Sequence, residues 1–586
     1  MCGSQAGNSP GRGQDSLMTI ARIIEPATAA LDRTLVSHRR ASVWLALLSL
    51  ALFMPGFFSL QPMDRDEPRF AQATKQMLET GDYIAIRFQD EARNKKPVGI
   101  YWMQAAIVGT AEALGFPQAR TTIWVYRLVS LMGAISAVLL TYWTALAFVT
   151  RRNAFLAAVL LASTILLGVE ARLAKTDAVV LATVMAAMGA LARFYLAPKD
   201  QRGWRLPLIF WTAIGIGLLV KGPITPMVPV FAALVLAVKD RGARWLAATR
   251  PLPGFIWALL MVVPWFILIM IATKGAFLTE SIGNDMLGKV STGQEAHGAP
   301  PLTYVAAFFA TAWPMAPLAV LAAPFAWRAR REPGVAFLLA WIVPFWLLFE
   351  AVPTKLPHYV LPVYPALAIL VAVAIERGEL ALSRGWGRAI LRILPGFALV
   401  LFAVGMGLSF YAGRAPGMAA FAVAPFLLWL AFHLLRDMGR EPIDQSVLTG
   451  VALAFCTYVF VFSGTMTGGA FEPWRLSPRL SEASQRVAKR LPECARLEPA
   501  TAGGYNEPSL VFLAGTSLLM IDGASAATFI EAHPCRIAFV EARDEGAFRA
   551  ALAPTSQIAL YERVQGINLN GGRRLDIAVY ARKPAP

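Results

Sequence analysis

Five short stretches of this 586-residue chain collect ionisable side chains between long apolar runs. MDRDEPRF sets Asp66 and Glu67 at the start of a helical pattern whose apolar positions include Phe70, Ala73 and Met77. Carboxylates are favourable at a helix N-terminus, so the pair can serve as a cap; a carboxylate held there can also accept a proton from an attacking hydroxyl. NKKPVGIYW joins Lys95 and Lys96 to an aromatic segment, a composition that suits an interfacial anchor or an anion site. VEARLAKTDA gathers Glu170, Arg172, Lys175 and Asp177 ahead of an apolar run. LLVKGPITP places Lys221 between two such runs. A lysine at a bilayer centre costs about 3 kcal/mol, so Lys221 is expected at the outer boundary or facing an anion. VPTKLPHYV puts Lys355, His358 and Tyr359 at the end of a further helix. A carboxylate among cations at headgroup depth suits a phosphate-bearing lipid. Lysines and tyrosines hold the phosphate, which departs without needing a proton, and the carboxylate takes the proton of the attacking group.

The elements that must position these residues follow from composition and loop charge. Residues of the AVILMFWYC set make up 56% of the chain and charged residues 16%, against about 25% in soluble proteins, which excludes a string of soluble domains. A net charge of +17 could suggest a nucleic-acid binder, but not with this hydrophobicity. Four cysteines exclude a disulfide scaffold. Residues 1–42 lack the apolar core of a signal peptide and are expected to form a cytoplasmic tail. His38, Arg39 and Arg40 then precede the first apolar run, which the positive-inside rule sends outward. Residues 61–123 form a charged external loop in which 99–116 lies as an amphipathic helix at the interface; this choice leaves Arg151 and Arg152 inside. The remaining runs alternate with basic connections (PKDQRGWR, KDRGARW, WRARRE, the arginines at 377, 384, 388 and 392, and RDMGR), giving about thirteen crossings and an external C-terminus. The expected organisation is a cytoplasmic tail (1–42), a transmembrane domain (43–467) and a small α/β domain (468–586) whose short strands are separated by Gly, Pro and Asp. Cys494 and Cys535 fall in that last domain, where the compartment permits a disulfide and two buried thiols are the alternative. Ionisable residues avoid the middle of the helices, which argues against a flippase or transporter.

The order Asp-Glu-x-Arg, Gly-Asp, Lys-Pro-x-x-x-Tyr-Trp, Ala-Arg-x-x-x-x-Asp, Lys-Gly-Pro, a loop His before Pro, and Lys-x-Pro-x-Tyr-x-x-Pro resembles the lipid-linked-sugar glycosyltransferases of the GT-C type. Within these the chain is similar to the bacterial aminoarabinose lipid A transferases and their protein O-mannosyltransferase relatives. The resemblance covers roughly residues 43–375. It implies an inner-membrane enzyme that transfers a sugar, with inversion, from a polyprenyl-phosphate donor to an external acceptor, lipid A or a related glycolipid, with secreted proteins as the alternative acceptor. By position Asp66 matches the catalytic acid, with Glu67 beside it. Arg69 and Asp177 match supporting pocket residues, and Lys96, Lys221 and Tyr359 match donor-phosphate contacts. Arg172, Lys355 and His358 join the phosphate set by proximity to these motifs. One departure bears on cofactors: relatives tend to carry an acid immediately before the Lys-Pro lysine, helping a loop histidine to hold a metal, and this chain has Lys95 there. A metal on His297 is therefore in doubt, and a reaction without a required cofactor is expected.

Overall fold

The structure, a computed structural model, describes residues 35–63, 66–197, 203–281, 283, 300–383, 385–437, 443–494 and 496–584. Most of the expected N-terminal tail, and His297, lie outside the described residues. Among the described residues, eight helices are long and apolar enough to cross a membrane: Ile123–Ala145, Asp177–Leu196, Pro251–Ala272, Pro333–Ala351, Pro357–Glu376, Gly385–Tyr411, Met418–Arg436 and Ile443–Thr465. The other five expected runs are shorter or broken helices. His38–Phe53 and Ile224–Lys239 have 16 residues each and Arg205–Lys221 has 17, below the roughly 20 of a full crossing. The run at 153–170 divides into Arg151–Ala162 and Ile165–Glu170, where Ser163 and Thr164 turn their hydroxyls onto the carbonyls of Leu160 and Leu161. The run at 303–325 divides at Pro314, between Thr303–Thr311 and Ala316–Arg328.

The loop at 61–123 is well built. Its first helix, α1 (Glu67–Thr80), is followed by a two-stranded hairpin, β1 (Arg87–Phe88) and β2 (Glu91–Ala92), and by α2 (Gly99–Ala113). At 15 residues α2 is too short to span, and it buries one face through Ile100, Tyr101, Gln104, Ala105 and Val108. Gln104 ties it down by accepting from Thr74 of α1 at 2.8 Å and donating to the Ala174 carbonyl at 3.2 Å. Gly99 permits the close approach that follows: a Cβ there would stand 2.8 Å from the backbone oxygen of Leu219, two residues before Lys221. The lysines of the NKKP turn and Lys221 thus come to one place.

Residues 476–582 form a doubly wound α/β unit. Its five-stranded sheet runs in the order β4-β3-β5-β7-β6, with β3 (Glu498–Ala502), β4 (Leu519–Ile521) and β5 (Arg536–Glu541) parallel, and with β6 (Ile558–Ile567) and β7 (Arg574–Arg582) antiparallel. One face packs on α3 (Leu476–Ala488) and α4 (Pro508–Ala514), through Leu480, Val511 and Phe539. The other packs on α5 (Gly523–Glu531) and α6 (Ala542–Ala551), through Ala527, Val540 and Phe548. Cys494 and Cys535 are joined in a disulfide. Partial burial raises the Glu545 carboxyl, but hydrogen bonds from Arg563, Tyr580 and Arg549, all at 2.5–2.7 Å, outweigh this and bring it down to about 2. A carboxyl lowered on folding stabilises the fold above its ordinary value near 4.5 and loses that contribution as pH falls toward 2. Melting of the unit should therefore weaken progressively between pH 5 and 2, and Glu545→Gln should flatten that dependence; calorimetry at stepped pH measures both.

This unit closes over α1. Lys75 donates to the Phe512 carbonyl at 3.1 Å, Gln72 to the Thr516 hydroxyl at 2.8 Å, and Gln89 to the carbonyls of Thr516 and Leu518. Phe512 plugs an apolar pocket of Ala71, Val108 and Tyr126. Between this unit and the membrane domain, a largely polar helix is buried along ten of its 14 residues.

Candidate functional site

Asp66 stands immediately before α1, whose start is set by Pro68 in the first turn. Its side chain makes no capping hydrogen bond to the helix, so the capping role open to it from the sequence is not the one it takes. It opens instead onto a cleft walled by Phe70, by Arg93, Lys95 and Lys96 of the turn between β2 and α2, by Lys175 to Asp177, by Lys221, and by His358 and Tyr359. Five of the lining side chains are cationic (Arg93, Lys95, Lys96, Lys175 and Lys221) against two carboxylates, Asp66 and Asp177. The cleft is electropositive and suits an anion.

Its floor is an ion-pair chain. Lys221 donates to Asp177, His358 lies 3.8 Å from Asp177 through Nε2 and 3.8 Å from Glu170 through Nδ1, and Lys175 lies 3.7 Å from Glu170. Each of these residues occupies the end of an apolar helix or the loop joining two, which is why one membrane face gathers them. The Tyr359 ring packs 5.2 Å from Phe349, and the Lys221 amine lies over it at 5.9 Å from its centre. Donor atoms of Glu170, Asp177 and His358 lie within 4.8 Å of one another, a spacing that could hold a metal ion. Lys221 on Asp177 and Lys175 beside Glu170 already supply the positive charge that such an ion would bring.

Of the residues expected from the sequence, Asp66, Lys96, Asp177, Lys221, His358 and Tyr359 meet in this cleft. Three others engage partners elsewhere: Glu67, expected beside the catalytic acid, and Arg172 and Lys355, expected in the phosphate set. Glu67 is fully buried and wholly engaged: it binds Arg127 through both oxygens at 2.7 and 2.9 Å and accepts from the amides of Met63 and Ala174. It is a fastening, with no lone pair directed at the cleft. Arg172 is buried beneath it, donating to the carbonyls of Leu52, Pro55 and Gly168 and stacking 4.2 Å over Phe462. Lys355 turns back on the helix Pro333–Ala351 and donates to the carbonyls of Phe349, Glu350 and Val352, a C-terminal cap. Neither cation can meet a phosphate while so occupied. Arg69 lies one turn into α1, half-buried and outside the cleft walls.

Two residues escaped the sequence reading. Arg127 lies in the first turns of Ile123–Ala145 and also donates to the carbonyls of Phe57, Leu60 and Gln61. One guanidinium thus binds the exit of the first helix to the start of α1. The signal was available, because a lone arginine inside an apolar 23-residue helix must find a partner. Arg93 is 8% exposed, stacks 5.1 Å over Phe70, and among the described residues its Nε has no hydrogen-bond partner. Nothing in its sequence window separates it from an ordinary loop arginine.

Comparison with known proteins agrees with this architecture. The family described as dolichyl-phosphate-mannose-protein mannosyltransferase matches residues 95–268. An undecaprenyl phosphate-alpha-4-amino-4-deoxy-L-arabinose arabinosyl transferase of Aeromonas hydrophila is 27% identical over 407 residues, 66% of this chain and 72% of that protein. Its counterpart in Erwinia tasmaniensis is 27% identical over 385 residues, 63% and 67% of the two chains. The crystal structure of ArnT from Cupriavidus metallidurans bound to undecaprenyl phosphate superposes with a TM-score of 0.69 at 18% identity, covering 92% of this chain and 97% of that one, and so shares its fold.

Proposed function

We propose that this multi-pass membrane protein, a GT-C-type glycosyltransferase related to the aminoarabinose and protein mannosyl transferases, moves a sugar from a polyprenyl-phosphate donor to a lipid A-like acceptor at the outer face of the inner membrane. The observation that carries the reading is the cleft itself: a carboxylate that does not cap its helix shares the lining with five cations. Lys96, Lys221 and Tyr359 hold the donor phosphate, lowering the energy of the phosphate as it leaves. Asp66 takes the proton of the acceptor hydroxyl, or orients an acceptor phosphate that has none to give, and attack opposite the leaving phosphate inverts the anomeric carbon. Asp177 pairs with Lys221, and His358 lies against Asp177 and Glu170, so both are positioning residues.

Purified protein in liposomes, given an undecaprenyl-phosphate-linked aminosugar and lipid A, should add one sugar mass to the lipid. Transfer should persist in EDTA, since lysines supply the charge in the cleft. Loss on chelation with recovery on adding a divalent ion, or modification of secreted proteins in place of lipid, would overturn the metal or the acceptor assignment respectively.

In this reading residues 43–467 form the transferase domain and 468–586 an α/β domain on the outer side, with a cytoplasmic N-terminus. Cysteines introduced at Arg331 and Gln557 should label with an impermeant maleimide from opposite sides of the membrane; labelling from one side would reverse the assignment.

A further inference from the structure

The C-terminal unit has a feature that the transferase chemistry does not use. Its three parallel strands lie in the order β4-β3-β5, so the chain leaves β3 toward the helix on one face and leaves its neighbour β5 toward the helix on the other. Adjacent strands whose connections part to opposite faces leave a crevice at their carboxyl ends, the place where open α/β sheets bind ligands. The crevice is present here. Gly503, Gly504 and Asn506 line it from the end of β3, Asp522 from the end of β4, and Arg543 and Asp544 from the end of β5.

The local chemistry is built for contact. Gly503 has φ +89 and a Cβ there would fall 2.6 Å from that of Glu541, so only glycine lets the two strand ends approach this closely. Arg543 spans the gap at 2.6 Å from both the Gly503 carbonyl and Glu541, which cancels its charge. Asp544 accepts from the Gly523 amide and Asp522 from the Ser525 amide and hydroxyl, holding the start of α5, and both carboxylates line the crevice, where a carboxylate can accept more than one hydrogen bond. With Arg543 matched by Glu541, two carboxylates and one amide set the balance. The crevice is thus acidic and rich in acceptors, the reverse of the membrane-level cleft.

We propose that this switch-point crevice is a second ligand site that binds a polyhydroxylated, amine-bearing saccharide and disfavours phosphorylated ones. The site is separate from the cleft at α1. No residue that lines the crevice lines that cleft, and the contacts to α1 come from Phe512 and Thr516, ahead of β4. The proposal does not depend on the transferase reading.

Saturation-transfer NMR on the full chain in detergent, with glucosamine, glucose and glucose 6-phosphate as probes, tests it. Glucosamine should bind saturably, at least about tenfold tighter than glucose 6-phosphate. Asn506→Ala, a change at an exposed residue that does not line the cleft, should weaken it about tenfold, and so should Asp544→Asn, which keeps the shape of the side chain. Absence of saturable binding, a preference for the phosphorylated sugar, or binding indifferent to both substitutions would overturn the proposal.

Discussion

Asp66→Asn abolishes sugar transfer while leaving donor binding and thermal stability unchanged. The expected loss is about 10³-fold, the central range for a positioned general base. The change is isosteric, and because the Asp66 side chain does not cap α1 it removes no helix-start bond. In the proposed function donor affinity rests on Lys96, Lys221 and Tyr359, which line the same cleft and which the substitution leaves in place. Turnover of a polyprenyl-phosphate sugar, donor binding and melting measured on one preparation give three independent readings. Retained transfer sinks the base assignment; a fall in melting temperature equal to that of a core variant would return Asp66 to a structural role.

The second large effect lies one residue further. Arg127→Met should destabilise the protein by about 3–5 kcal/mol, because it strands the Glu67 carboxylate at zero exposure without its partner. Against a total of about 5–15 kcal/mol that is a large fraction. It should also remove transfer, since the lost guanidinium holds the segment before Asp66, and Glu67 in turn holds the Ala174 amide three residues before Asp177. The Glu67→Gln/Arg127→Met pair should recover part of the stability, having no buried charge left, but little of the transfer. A double-mutant cycle in melting temperature and rate separates the two; additive stabilities would show that the pair is not coupled.

The cleft was largely legible because Asp66, Lys96, Asp177, Lys221 and Tyr359 each abut an apolar run, so loop charge alone sends them to one face. The errors share a cause. Glu67, Arg172 and Lys355 have the same residue types at the same depth as the cleft groups, and only their partners distinguish them. Those partners are mostly backbone carbonyls and amides, which a sequence does not display, or an arginine 60 residues away. For Lys355 a local cue existed, four residues past the end of a helix. The fold was read well where periodicity speaks, in the long apolar helices and the strand-rich end, and poorly where two hydroxyl residues at 163–164 or a proline at 314 broke a run that composition treats as continuous.

The cover over α1 has a consequence for how the protein is made. Lys75 and the Phe512 carbonyl that receives its amine are 437 residues apart. At a synthesis rate of about 5–20 residues per second, the helix that begins beside Asp66 waits about 20–90 s for its lid. During that interval its polar flank has only water or a chaperone to meet it, and a chain that stops short of the last hundred residues never completes the housing of α1. In the proposed function, removal of the final segment should therefore lower transfer by uncovering α1.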